Sequence, residues 1–470
     1  MTTQLSLLIN GEKVAGNGAS FDVINPADET ILVSGKMAST DQLDQAVAAA
    51  RQAFATWRTT PEAERSALLH RIADRIEANA DELARIIVQE QGKPLFLAQV
   101  EVGGAVAWTR YNADLEIPVK VIEDSDEKRI EGHRKPLGVV ASITPWNWPL
   151  MIAIWHIMPA LRTGNTVVCK PSGMTPLNTL RLVEIVNEVL PAGVVNLVLG
   201  EREIGEAISR HQDIDKIIFT GSTPTGQDIM THAAGNLKRL TLELGGNDAG
   251  IVLPGTDVNA VAEGIFNTSF INMGQTCAAL KRLYVHDSLY DSLCSRLADL
   301  AQAQVVGDGL EEGTTFGPVQ NAAQFNIVRE LVEDARAKGG RILSGGEPVN
   351  GKGYFYPPTI VADVSNGVRL VDEEQFGPAL PVIRYSDVDE AIRMANDCPF
   401  GLGGSVWGSD LDEAERVARQ LESGTVWINN HAEVLPHAPF GGCKLSGCGV
   451  EFGVEGLLEY TQLQVINLRK

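Results

Sequence analysis

Cys277 stands in NTSFINMGQTCAALKRLYV (267–285), directly behind Gly274, Gln275 and Thr276. A free cysteine is by default a small buried hydrophobe. It becomes a nucleophile when the chain also supplies a base and a donor for the charge that develops on the attacked group. Glu243 is a candidate base. It interrupts the apolar strand of LTLELGGN (240–247), where a carboxylate must be paired, protonated or functional. Partial burial would raise its pKa toward the range of a general base. Asn147 is a candidate donor, set between Trp146 and Trp148 in TPWNWP (144–149). Flanking prolines stiffen such a loop, tryptophans exclude water, and a fixed amide NH2 can then hold an oxyanion. The same tryptophans would also serve as ordinary core. A sulfur, a carboxylate and an amide together suit attack on a carbonyl carbon and hydrolysis of the resulting acyl group.

A second set of residues suits a phosphate-bearing ligand. FTGSTPTG (219–226) runs from strand residues through Gly221 and Ser222 into a helix opening at Pro224. Free N–H groups and the positive helix end there would accept a pyrophosphate. An ordinary strand-turn-helix junction has the same look, and no G-x-G-x-x-G follows the first strand. Lys170 closes the strand TVVCK, at the end of a parallel sheet where ligands bind, although a solvated lysine is an equal alternative. In EEQFGP, Glu374 beside Phe376 could hold a ribose or cap a turn.

The elements that must position these residues read as α/β. Asp41 to about Gly92 has helical spacing of apolar residues, and 119–138 alternates like an extended hairpin whose edge could serve assembly. From residue 137, strands alternate with helices, which means right-handed βαβ units and a parallel sheet. Thr175 is expected to cap the helix of TPLNTLRLVEIVNEVL, with Pro176 at its first position. A second alternating region covers about 248–440, including a long helix before Cys277. The tail 459–470 reads as a strand that could complete a neighbouring subunit's sheet. The expected division is a Rossmann-like dinucleotide domain (1–118 and 137–245), a second α/β catalytic domain (246–445), and a small β oligomerisation element (119–136 and 446–470).

The 470 residues allow two or three domains. A formal net charge of −21 leaves no basic surplus for tracking nucleic-acid phosphates or anionic membranes. The six scattered cysteines form no CxxC pair, so neither a disulfide framework nor a metal site is expected. With no basic, apolar leader at its start, the chain is expected in the reducing cytoplasm.

TPWNWP, VCKPS, FTGS, LELGGN, GQTC, EEQFGP and PFGGCKLSGCGVEFG, in this order and over essentially the whole chain, resemble the aldehyde dehydrogenase superfamily. The resemblance implies NAD or NADP as cofactor, an aldehyde substrate, and assembly into a homodimer or homotetramer. It implies that Cys277 is the nucleophile and forms a thiohemiacetal and then a thioester. Glu243 would activate the hydrolytic water, and Asn147, with the backbone N–H of Cys277, would hold the oxyanion. Trp146, Lys170, Ser172, Gly173, Gly221, Ser222, Leu244, Glu374 and Phe376 would contact the cofactor. Trp148, Ile152, Trp155, Thr276 and Ala278 would form the substrate pocket. Glu451, in GVEFG, resembles a second acidic residue tied to proton relay.

Two departures from the pattern bear on function. Many NAD-preferring members carry a glutamate three residues after the lysine, where this chain has Gly173. That leaves NADP use open. His156 stands where several relatives have lysine. Small residues at Gly103, Gly104 and Ala105 would either leave room for a bulky substrate or pack helices, and a medium-sized or aromatic aldehyde is preferred. An acylating enzyme using coenzyme A is one alternative, disfavoured by Glu243; a non-catalytic scaffold is another, disfavoured by Cys277 and Glu243 together.

Overall fold

The computed structural model describes residues 5–470. Its first sheet is built on five strands: β1 (Val139–Ile143), β2 (Thr166–Lys170), β3 (Val195–Leu197), β4 (Lys216–Thr220) and β5 (Arg239–Glu243). Apart from the start of β5 their residues are buried, as expected of parallel strands with both faces covered. They lie in the order β3-β2-β1-β4-β5 and run parallel, with antiparallel strands Leu7–Ile9 and Gly447–Cys448 added at the two sides. The strand order reverses at β1. The loops leaving β1 and β4 therefore diverge, opening a crevice at the carboxyl ends.

A second sheet has seven strands centred on β6 (Asp248–Val252) and β7 (Leu280–His286). Each sheet has its own apolar packing. One cluster draws on Leu5 to Leu244 together with Tyr460, while two others draw on residues 249 to 418. A third, antiparallel sheet joins Lys120–Asp124, Lys128–Pro136 and Thr461–Arg469. The mixed α/β fold with parallel sheets thus agrees with the sequence reading, as do the helices Thr40–Trp57, Glu62–Ala78 and Ala80–Gln91.

The tail is a strand, as expected; it pairs with the chain's own strand Lys128–Pro136 and keeps one edge free. Two local expectations need correction. The helix expected to be capped by Thr175 starts at Leu177, with Pro176 in the cap position. Its amides are taken instead by the buried carboxylate of Glu90, which accepts from Leu177 N (2.7 Å) and Asn178 N (2.8 Å). Two carboxylate oxygens serve two free N–H groups where one hydroxyl could serve only one. The helix before Cys277 also ends early, at Phe270. Asn272, Met273 and Gly274 then turn with φ of 52°, 55° and 72°. At Gly274 a Cβ would meet Gly377 O at 2.3 Å, which is why the motif needs glycine there.

Candidate active site

The loop after β1 carries Asn147 and feeds helix α2 (Pro149–Arg162); helix α1 (Leu95–Asp114) packs beside it. From α1, Glu101 Oε1 accepts the first free amides of α2, Leu150 N at 3.0 Å and Met151 N at 3.1 Å, where helix polarity favours an anion. Its other oxygen accepts from Lys93 Nζ at 2.6 Å, and both side chains are fully buried. Lys93 Nζ also donates to Asn147 O (3.0 Å) and lies 3.5 Å from the Trp148 ring centroid. Asn272 Nδ2 donates to the same carbonyl at 2.8 Å. The loop is thus clamped from below. Asn147 Nδ2 donates to Gln275 O at 3.0 Å, and Trp148 Nε1 to Thr276 Oγ1 at 2.9 Å, so the loops carrying Asn147 and Cys277 hold each other. The Asn147 amide has a second N–H available for a substrate oxygen.

Cys277 O accepts from Lys281 Nζ, four residues on in β7. The same ammonium lies 3.2 Å from Glu374 Oε1, which also accepts from Gly246 N at 3.2 Å. A Cβ at Gly245 would come within 2.4 Å of Glu374 Oε2, and one at Gly246 within 2.8 Å of Cys277 O. The glycine pair lets the Glu374 carboxylate and the Cys277 backbone approach. Burial pushes the Cys277 thiol up to about 12, opposed by Lys281 and reinforced by Glu243, Asp248 and Glu374. The resting state is therefore a thiol, and activation requires a base or a change in these charges.

Glu243, 4% exposed, has no hydrogen-bond partner on either carboxylate oxygen among the described residues. Burial and the nearby charge of Glu451 hold its pKa well above the usual carboxylate range, the condition for a base working near neutrality. Burial raises Glu451 to about 8, opposed by Lys216. Glu451 Oε1 lies 3.4 Å from His156 Nε2. His156 bridges Ser142 Oγ and Thr220 Oγ1, each at 3.1 Å. Burial and the Lys216 charge lower it to about 3, so it is neutral.

Cys277 opens onto a cavity of about 220 Å³ shared with Trp146, Asn147, Gly221, Leu244 and Glu374. It adjoins a cleft of about 390 Å³ that reaches Lys170, Ser172 and Gly173. Trp146, Gly221 and Ser222 line both spaces. Ser222 holds the N-cap position of helix α4 (Thr223–Ala233) there, its hydroxyl 2.9 Å from Thr225 Oγ1. Phe376, also lining the inner cavity, meets Trp146 edge-on at 5.3 Å. All nine residues expected to contact a cofactor border this continuous space, a shape and polarity that fit an elongated dinucleotide with one end at the sulfur.

On its other side Cys277 packs in an apolar cluster with Ala278, Trp155, Trp427, Phe440 and Phe452. The Trp155 and Phe452 rings are 4.8 Å apart, and Trp108 stacks near both. Of the expected pocket residues, Trp155 and Ala278 belong to this cluster, while Trp148, Ile152 and Thr276 do not. Trp148 lies under Lys93 and is tied to Thr276, and Ile152, 1% exposed, lies in the packed interior of α2. The space beside Gly104 is taken by Met151, whose Cε would be 2.4 Å from a Cβ there, so that glycine packs helices. Sequence reasoning missed Lys93, Glu101, Lys281, Trp108, Trp427, Phe440 and Phe452. Only Lys281 carried a local signal, a charge inside the buried strand LKRLYVH, the feature that flagged Glu243.

The aldehyde dehydrogenase family model matches residues 13–466. The chain is 41% identical to a mitochondrial aldehyde dehydrogenase of Leishmania tarentolae over 99% of this chain and 95% of that one. It is 40% identical to a phenylacetaldehyde dehydrogenase of Pseudomonas fluorescens over 97% of this chain and 94% of that one. Among solved structures, an NAD+ complex of an aldehyde dehydrogenase from Bacillus cereus matches with a TM-score of 0.96 and 37% identity, over 99% of this chain and 96% of that one.

Proposed function

The chain belongs to the aldehyde dehydrogenase family and is an enzyme of that class, and we propose that it converts an aldehyde to the carboxylic acid with a nicotinamide dinucleotide, through an acyl group carried on Cys277. The observation that carries this reading is the single cavity in which Cys277, Asn147, Gly221, Glu374 and Phe376 meet. Cys277 gives its thiol proton to Glu243, its Sγ bonds to the aldehyde carbon, and the carbonyl oxygen becomes an oxyanion held by Asn147 Nδ2 and the Cys277 N–H. A nicotinamide held in the inner cavity would supply the hydride acceptor, and the oxidised carbon stays on Cys277 Sγ as a thioester. Glu243 takes a proton from water, the water attacks the thioester, and the acid leaves as Cys277 regains its proton. Trp146, Phe376, Leu244 and Glu374 would hold the nicotinamide end, Gly221 and Ser222 the pyrophosphate, and Lys170, Ser172 and Gly173 the far ribose. Glu451 would relay the proton of Glu243.

For the substrate we propose a medium-sized or aromatic aldehyde, supported by the rings of Trp155, Phe440 and Phe452 beside the sulfur and by the relative named for phenylacetaldehyde. We propose a homodimer or homotetramer, supported by the exposed Leu463, Val465 and Leu468 on the free edge strand, and a reducing, cytoplasmic setting that keeps Cys277 a thiol. The test is acid formation with stoichiometric nicotinamide reduction across an aldehyde panel. Cys277→Ala is expected to abolish it, and Glu243→Gln to accumulate a mass-detectable acyl group on Cys277. Normal turnover by Cys277→Ala, or a Glu243→Gln enzyme that turns over freely with coenzyme A present, would overturn the scheme.

A further inference from the structure

The outer cleft ends at a wall where the absent side chain of Gly173 has been replaced by another residue's. A Cβ built on Gly173 would stand 2.5 Å from Glu201 Oε1. Glu201 sits at the turn between β3 and helix α3 (Arg202–Arg210), some thirty residues from Gly173 in sequence, and both line the outer cleft with Lys170 and Ser172. Lys170 Nζ donates to Gly200 O at 2.8 Å, so the ammonium and the Glu201 carboxylate flank the same corner, and the Glu201 charge acts on Lys170.

The corner is acidic. Glu201, Glu206 and Asp228 line the cleft against Lys170 and Arg202. Arg202, the cation best shaped for a phosphate, is held by Glu206 at 2.7 Å and Asp228 at 3.4 Å. Because the nicotinamide end belongs at Cys277, the distant Lys170 corner receives the adenosine ribose. A carboxylate there accepts ribose hydroxyls and repels a 2′-phosphate.

We propose that Glu201 is the residue by which this chain selects NAD+ over NADP+, occupying from a different loop the place that a side chain at position 173 would fill. The inference rests on the dinucleotide reading of the cleft.

The test is equilibrium binding to the apoenzyme, with NAD+ and NADP+ titrated separately and followed by tryptophan fluorescence. The unaltered chain should bind NAD+ about tenfold or more tighter than NADP+. Glu201→Gln, an exposed change that keeps the fold, should bring the two within about threefold, chiefly by strengthening NADP+. The exchange Gly173→Glu with Glu201→Gly should restore the NAD+ preference, while Gly173→Glu alone should crowd the corner and weaken both. An unchanged ratio in Glu201→Gln, or NADP+ preference in the unaltered chain, overturns the role of Glu201 and leaves the dinucleotide reading intact. Failure of the unaltered chain to bind either dinucleotide overturns both.

Discussion

The loop that carries Asn147 and the wall that carries Lys170 lie at opposite ends of one cleft and are held in opposite ways. Around Asn147, a fully buried ion pair, a capped helix and hydrogen bonds from Asn272 and to Gln275 fix the backbone. Around Lys170, the charges belong mostly to exposed side chains, and the Arg202–Glu206 pair is half in water, where ion pairs contribute little. The difference suits the work proposed for each end. Covalent attack requires donor and sulfur in register to a fraction of an ångström, whereas a long cofactor is held by many weak contacts that tolerate small adjustments.

The largest effect is expected at the stiffest point. Lys93→Met should leave Glu101 as an uncompensated buried charge and cost about 3–5 kcal/mol of stability, read by urea unfolding. A loss below about 1 kcal/mol would mean that the clamp is not what holds the loop. Asn147→Ala should lower kcat about 100- to 1000-fold with little change in cofactor affinity; unaltered kcat would remove the oxyanion role.

Lys281→Met tests the join between the two ends. Lys281 is the cation that lowers the Cys277 thiol, so its loss should raise the titration midpoint and slow iodoacetamide alkylation of Cys277 about tenfold at neutral pH. Glu374→Gln removes an anion that raises the same thiol and should shift the midpoint down. Movement of both in one direction would indicate general loosening instead of charge coupling. The smallest effect is expected at the open end. Lys170→Ala should raise the cofactor KM about fivefold with kcat and unfolding midpoint unchanged, the signature of lost uniform binding. A large fall in kcat there would erase the distinction between the two regions.

Much of the site was legible in the chain. Glu243 showed itself as a charge within an apolar strand, and Gly245-Gly246 and Gly274 occupy places where a Cβ would strike Glu374, Cys277 O or Gly377 O. The cleft followed from strands alternating with helices, because their parallel order dictates where the crevice opens. The cap at Leu177 was misread because the winning acceptor, Glu90, comes from another helix. Lys93 beneath Trp148 was not legible because it arrives from a segment distant in the chain.

What the sequence determined by itself was local: periodicities that specify strands and helices, glycines demanded by close backbone approach, and the residue types able to act on a carbonyl. What only the tertiary structure decided was long-range partnership. Lys93 with Glu101 and Asn147, Lys281 with Glu374, and Glu201 beside Gly173 are each set by chain segments packed from different elements. Burial and charge act through space, and their strength depends on separations that the order of residues along a chain does not contain.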